Sequence, residues 1–80
     1  MTIKIIAYGI AKDIIKAREK TWECSSAQNI RDLKTKLITD YPAFSKLAKL
    51  SFAVGEEYRD DDFKLKDGDE VVIIPPVSGG

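Results

Sequence analysis

Apolar positions along the chain follow two different periods. Ile3, Ile5 and Ala7 alternate with Lys4, Ile6 and Tyr8, the period of two expected of a central strand whose second face is partly covered. Gly9 closes that strand, and Ile10 to Lys16 reads as a loop with a helical turn. Arg18 to Cys24 alternates again and predicts a second strand, with Trp22 facing inward and Cys24 sharing its side. At Asn29 the period changes. Ile30, Leu33, Leu37 and Tyr41 recur at spacings of three and four, the apolar stripe of a helix, with Arg31, Lys34 and Lys36 toward solvent. Asn29 has the chemistry of an N-cap and Asp32 stands at the third helical position, an approximate capping box. Pro42 stops the helix, because the residue before a proline disfavours helical backbone.

After the helix, Ala43 to Lys49 predicts a short helical or irregular connection that anchors Phe44 and Leu47. Leu50 to Val54 reads as a strand, and Gly55, Glu56 and Glu57 form a turn into Tyr58. Phe63 and Leu65 alternate with lysines, and Asp67-Gly68-Asp69 is a tight turn in which Gly68 takes positive φ. Val71 to Ile74 is continuously apolar, the pattern of a strand covered on both faces and central in its sheet, and Pro75 ends it. This order gives an α+β fold, a mixed sheet with one main helix packed across one face. The first and last strands are the most apolar, so they are expected side by side and parallel. That is the β-grasp, or ubiquitin-like, pattern, with a domain over residues 1–75 and a flexible C-terminal tail over 76–80.

Composition narrows the chemistry. Eighty residues suit one domain, and 44% hydrophobic with 32% charged residues is the balance of a globular chain. Thirteen basic residues against thirteen acidic ones leave no global field for nucleic acid or an anionic membrane. No apolar run is long enough for a signal sequence or a membrane span, so a cytoplasmic location is expected. The single cysteine, Cys24, and the absence of histidine remove internal disulfides, zinc clusters and Cys-His dyads, together with the commonest general base. A self-sufficient enzyme is therefore not expected, although carboxylate or lysine chemistry stays open. Asp60, Asp61 and Asp62 lack the interleaved spacing of a calcium loop and read as a solvated turn, so no metal site is assigned.

Beyond Pro75 five residues remain, and at roughly 3.3 Å each they reach about 16 Å from the body. Pro76 favours an extended start, Val77 and Ser78 offer one apolar and one hydroxyl group, and Gly79-Gly80 carries no side chain. Without Cβ, such an end passes through a channel too narrow for other residues. What it delivers is the carboxylate of Gly80, a poor electrophile that needs activation by another enzyme.

The segment LKDGDEVVIIPPVSGG, Leu65 to Gly80, closely resembles the C-terminal signature of the small subunits of molybdopterin synthase, the β-grasp sulfur carriers. The likeness extends over the IKIIAY strand, the helix opened by Asn29-Ile30-Arg31-Asp32-Leu33, and Phe52-Ala53-Val54. The resemblance implies that an adenylating partner similar to ubiquitin-activating enzymes uses ATP to activate Gly80. It further implies that sulfur transfer makes a thiocarboxylate there, and that the tail then delivers sulfur to a cyclic pyranopterin precursor in the large subunit, within a heterotetramer. The chain itself would bind no cofactor, and the catalytic residues would belong to the large subunit. Carried over by position, Gly80 bears the sulfur, Gly79 and Ser78 line its passage, and Val77, Pro76 and Pro75 hold the tail. Tyr8 and Ile74 fall at partner contacts and Lys12 at a position that is often basic. A sulfur carrier for thiamine thiazole synthesis or tRNA thiolation, or a ubiquitin-like modifier, would use the same terminus.

Overall fold

The computed structural model describes residues 1–25, 28–47 and 49–75. The alternating segments form strands β1 (Thr2–Ala7), β2 (Glu19–Glu23), β3 (Ser51–Val54), β4 (Glu57–Arg59) and β5 (Glu70–Ile74). Two helices, α1 (Gly9–Ile15) and α2 (Ile30–Asp40), and a 3-10 turn over Pro42–Lys46 complete the described elements. One mixed sheet runs in the order β2-β1-β5-β3-β4. As the sequence predicts, β1 and β5 are central and parallel, with Ile5 beside Val71 and Ala7 beside Ile73. Each has an antiparallel neighbour on its other side, β2 for β1 and β3 for β5.

The start of the parallel pair is fastened through the predicted turn. Asp67 accepts from the Thr2 amide at 2.7 Å, the Gly68 amide donates to the Thr2 carbonyl at 2.8 Å, and the Lys4 amide donates to the Asp69 carbonyl at 2.9 Å. Gly68 has φ +87°, which makes glycine the natural occupant of that turn.

Helix α2 begins as its capping signal requires. Asn29 accepts from the Asp32 amide and Asp32 accepts from the Asn29 amide, each at 2.9 Å, so two otherwise orphaned donors are satisfied reciprocally. The next donors are met by the acidic loop: the Ile30 amide donates to the Phe63 carbonyl and the Arg31 amide to the Asp61 carbonyl. Ile30, Leu33 and Leu37 are buried against Ile3, Ile5, Phe52, Val71 and Ile73. Burial at each such position contributes about 1.5–3 kcal/mol. Phe44, in the 3-10 turn, closes the end of this core and meets the Tyr41 ring edge-on.

Three elements differ from the sequence reading. Ile10 to Lys16, expected as a loop with one helical turn, is mostly taken up by the seven-residue helix α1, which starts at Gly9; Ala11 and Ile15 are buried one turn apart and Lys16 ends it at φ 65°. Glu57, expected as the last residue of the turn, instead begins strand β4, which continues through Tyr58 to Arg59 and pairs with β3. The expectation that β5 is covered on both faces is corrected. Val71 and Ile73 are fully buried beneath α2, whereas Val72 and Ile74 are only half-buried on a sheet face that no described element covers. Trp22 faces inward as expected, as the register partner of buried Ile3, and Trp22 and Cys24 are both partly buried against the core.

Candidate functional site

Because β1 and β5 are parallel, their C-terminal ends emerge at the same edge of the sheet. Ala7 and Ile73 are register partners, so Tyr8 follows β1 at the level of Ile74, and Pro75 leaves β5 next to it. On the other side of β5, Ile74 is opposite Ser51. Tyr8 is 54% exposed and caps α1 from an extended backbone, its carbonyl accepting from the amides of Ala11 and Lys12. Lys12 is exposed in the last turn of that helix. The structure therefore brings four predicted site residues, Tyr8, Lys12, Ile74 and Pro75, to one end of the molecule. The expected tail residues Pro76, Val77, Ser78, Gly79 and Gly80 lie outside the described residues.

The uncovered sheet face begins at this same end. Glu19, Ile6, Val72, Ala53 and Tyr58 are successive register neighbours across all five strands. Four of the five present apolar or aromatic surface, and Tyr58 is 71% exposed. Ile10, on α1, adds a further exposed aliphatic side chain. Farther from the tail exit the face becomes polar: Lys4 lies between Thr21 and Glu70, and Thr2 lies opposite Glu23. A shallow hollow of about 400 Å³ reaches from Ala53 and Val72 to Glu56, Asp69 and Glu70.

Ile6, Val72, Ala53 and Ile10 were not singled out as site residues from the sequence. Their signal was present: Ile6 breaks the polar half of its strand's alternation, and Val72 makes the last strand continuously apolar. In the sequence alone both features suit burial equally well, and the structure leaves them on an open apolar face. Tyr8 and Ile74 fit the same face.

The acidic run is occupied structurally. Asp62 pairs with Arg31 at 2.9 Å and Asp61 with Lys34 at 3.3 Å, tying the loop to the first turns of α2. Among the described residues no group of three or more acidic, cysteine or histidine side chains is arranged to hold a metal ion. Cys24 presents its carbonyl to the Met1 ammonium at 2.6 Å. No helix among the described residues is long and apolar enough to cross a membrane.

Comparison with known proteins agrees with this architecture. A molybdopterin synthase sulfur carrier subunit from Chlamydomonas reinhardtii is 37% identical over 83 residues, with 100% of each chain covered. A structure described as a putative molybdopterin converting factor subunit 1 from Pyrococcus furiosus superposes with TM-score 0.87 at 24% identity, covering 96% of this chain and 99% of that one. A chain in a complex of subunits 1 and 2 of molybdopterin-converting factor from Helicobacter pylori superposes with TM-score 0.69 at 23% identity, with both chains fully covered. Those two likenesses carry the β-grasp fold. The ThiS family model matches residues 5–80, and the chain belongs to the ThiS family.

Proposed function

We propose that this chain is the sulfur carrier subunit of a molybdopterin synthase. The observation that carries the reading is the placement of Pro75: a central strand delivers it to the end of the sheet, beside an uncovered apolar face. Membership of the ThiS family and full-length similarity to a sulfur carrier subunit support the same reading.

In this reading the Gly80 carboxylate attacks the α-phosphate of ATP in an activating enzyme. Pyrophosphate leaves, and an acyl-adenylate forms. Hydrosulfide-level sulfur from a donor then displaces AMP, and loss of the S–H proton leaves a thiocarboxylate. Gly79 and Ser78 pass through the partner's channel, and Val77, Pro76 and Pro75 hold the tail's base. Tyr8, Ile74, Ile6 and Val72 supply the apolar contact surface and Lys12 a cation beside it. The large subunit, in a heterotetramer with this chain, provides the groups that move sulfur onto the pterin precursor. ATP is consumed by the activating partner, and the carrier holds no cofactor of its own. The assembly works in the cytoplasm, and residues 1–75 act as the body that carries a 76–80 tail.

Co-production with the activating enzyme, followed by intact-mass measurement, tests the first half. The expected result is the mass gain of one oxygen replaced by sulfur, lost when Gly80 is deleted. Incubating that protein with large subunit and precursor tests the second half, with molybdopterin as the expected product. Sulfur delivery to a thiazole synthase and none to the pterin precursor would overturn the assignment.

A further inference from the structure

Strand β4 forms a bare edge of the sheet. It is joined to β3 by a two-residue turn, Gly55 and Glu56, whose φ values of 64° and 66° are those of a type I′ hairpin. In that geometry Val54 and Glu57, flanking the turn, exchange both backbone hydrogen bonds. The alternation of an antiparallel ladder then directs the N–H and C=O of their neighbour Tyr58 away from β3. β4 is the last strand in the order, and among the described residues no backbone or side-chain group outside the hairpin bonds to the Tyr58 main chain.

On the helix side of this edge a groove of about 930 Å³ runs between β4 and the α2 end of the molecule. Phe44 and Phe52 lie at its floor, with half-buried Ile38 and Leu47 on the far wall. The charges near the edge divide into two sets. Arg59 is engaged: its Nε donates to the Val54 carbonyl at 3.0 Å, its Nη2 contacts Glu57 at 3.2 Å, and its guanidinium lies 4.5 Å from the Phe63 ring centre. Asp61 and Asp62 are paired to α2. Glu56 and Asp60, at the two ends of β4, are exposed and make no ion pair among the described residues. Lys49 stands across the groove on the segment before β3, not on the edge itself.

We propose that the β4 edge docks an extended segment of another protein, with aliphatic residues between two basic residues. The segment adds to the sheet as a further antiparallel strand and exchanges both main-chain bonds with Tyr58, the mode of strand addition at an open edge. Side chains on one face of the segment enter the groove over Phe44 and Phe52. Cations four residues apart, a span of about 13 Å, match Glu56 and Asp60. β3 lies between this edge and the strand that carries the tail, so the site is distinct from the contact surface at Tyr8 and Ile74.

The test uses the capped pentapeptide Lys-Ile-Val-Ile-Lys as probe and Lys-Gly-Ser-Gly-Lys as control, on the full chain, by amide-resolved NMR. The expected result is saturable binding of the first peptide, with slowed hydrogen exchange at the Tyr58 amide. Tyr58→Pro removes the outward-pointing donor together with the exposed ring, so Tyr58→Ala, which keeps the amide, is its reference; the proline variant is expected to bind about tenfold more weakly than the alanine variant, the net worth of one hydrogen bond. Glu56→Lys with Asp60→Lys keeps the hairpin and is expected to weaken binding and remove its salt dependence. Unchanged exchange at Tyr58 under saturating probe, equal binding of the control peptide, or undiminished binding to the doubly substituted chain would each overturn the proposal.

Discussion

Ile6 and Val72 are register partners in the parallel pair of β1 and β5, and both turn to the sheet face that no described element covers. Their neighbours in register, Ile5 with Val71 and Ala7 with Ile73, are buried in the core. The two central strands thus use alternate residues for different purposes. One set holds the fold together, and the other is spare apolar surface next to the tail exit.

Replacing Val72 by Asp should therefore separate binding from folding. A half-buried position on the open face loses little packing, whereas a charge placed at the centre of an apolar contact is strongly disfavoured. Affinity for the large subunit, measured by calorimetry, is expected to fall by at least about tenfold, with the thermal midpoint shifted by only a few degrees. Wild-type affinity would remove this face from the interface.

Substitution in the buried set should do the reverse. Leu37→Ala empties a site that is 2% exposed and is expected to cost about 2–5 kcal/mol in denaturant unfolding. Trp22→Ala, at a half-buried site on an edge strand, is expected to cost less than Leu37→Ala. The opposite ranking would contradict the burial described above.

The reciprocal cap of α2 gives a third expectation. Asn29→Ala and Asp32→Ala should each destabilise the fold by about 0.5–2 kcal/mol. Because the two side chains complete one motif, the double substitution should cost less than the sum of the singles, as a double-mutant cycle reads directly. Strict additivity would show that the two bonds act independently.

Chemistry and stability should also separate at the chain's end. Deleting Gly80, or extending the chain past it, is expected to abolish thiocarboxylate formation and sulfur transfer. Among the described residues the buried core ends at Ile73, so the melting temperature should stay nearly unchanged. Full transfer by either variant would exclude the terminal carboxylate as the sulfur bearer.

Much of the fold was legible because local signals agreed with one another. The stripe Ile30, Leu33 and Leu37, the Asn29 and Asp32 cap and the Gly68 turn each specify one local geometry, and all are found. The parallel pairing of the first and last strands followed from their apolar content. What stayed hidden depends on tertiary context. A continuous apolar run such as Val71 to Ile74 looks the same whether its second face is covered or open, because periodicity reports hydrophobicity and not the neighbour that meets it. Helix α1 shows only two buried positions, too few to mark a period. Strand β4 is three residues long and owes its conformation to the hairpin turn. Tyr8, Lys12, Ile74 and Pro75 were named through resemblance, and their convergence at one edge follows from the parallel arrangement of β1 and β5.

The position of β5 also determines how the protein responds to force. A pull applied at Pro75 runs along the strand axis, and β5 is hydrogen-bonded to β1 on one side and β3 on the other. The load falls on both ladders in shear, so their bonds resist together instead of opening one at a time. A partner that grips the end of the chain can then drag the whole body toward itself, or be wrenched away from it, without unravelling the strand it holds.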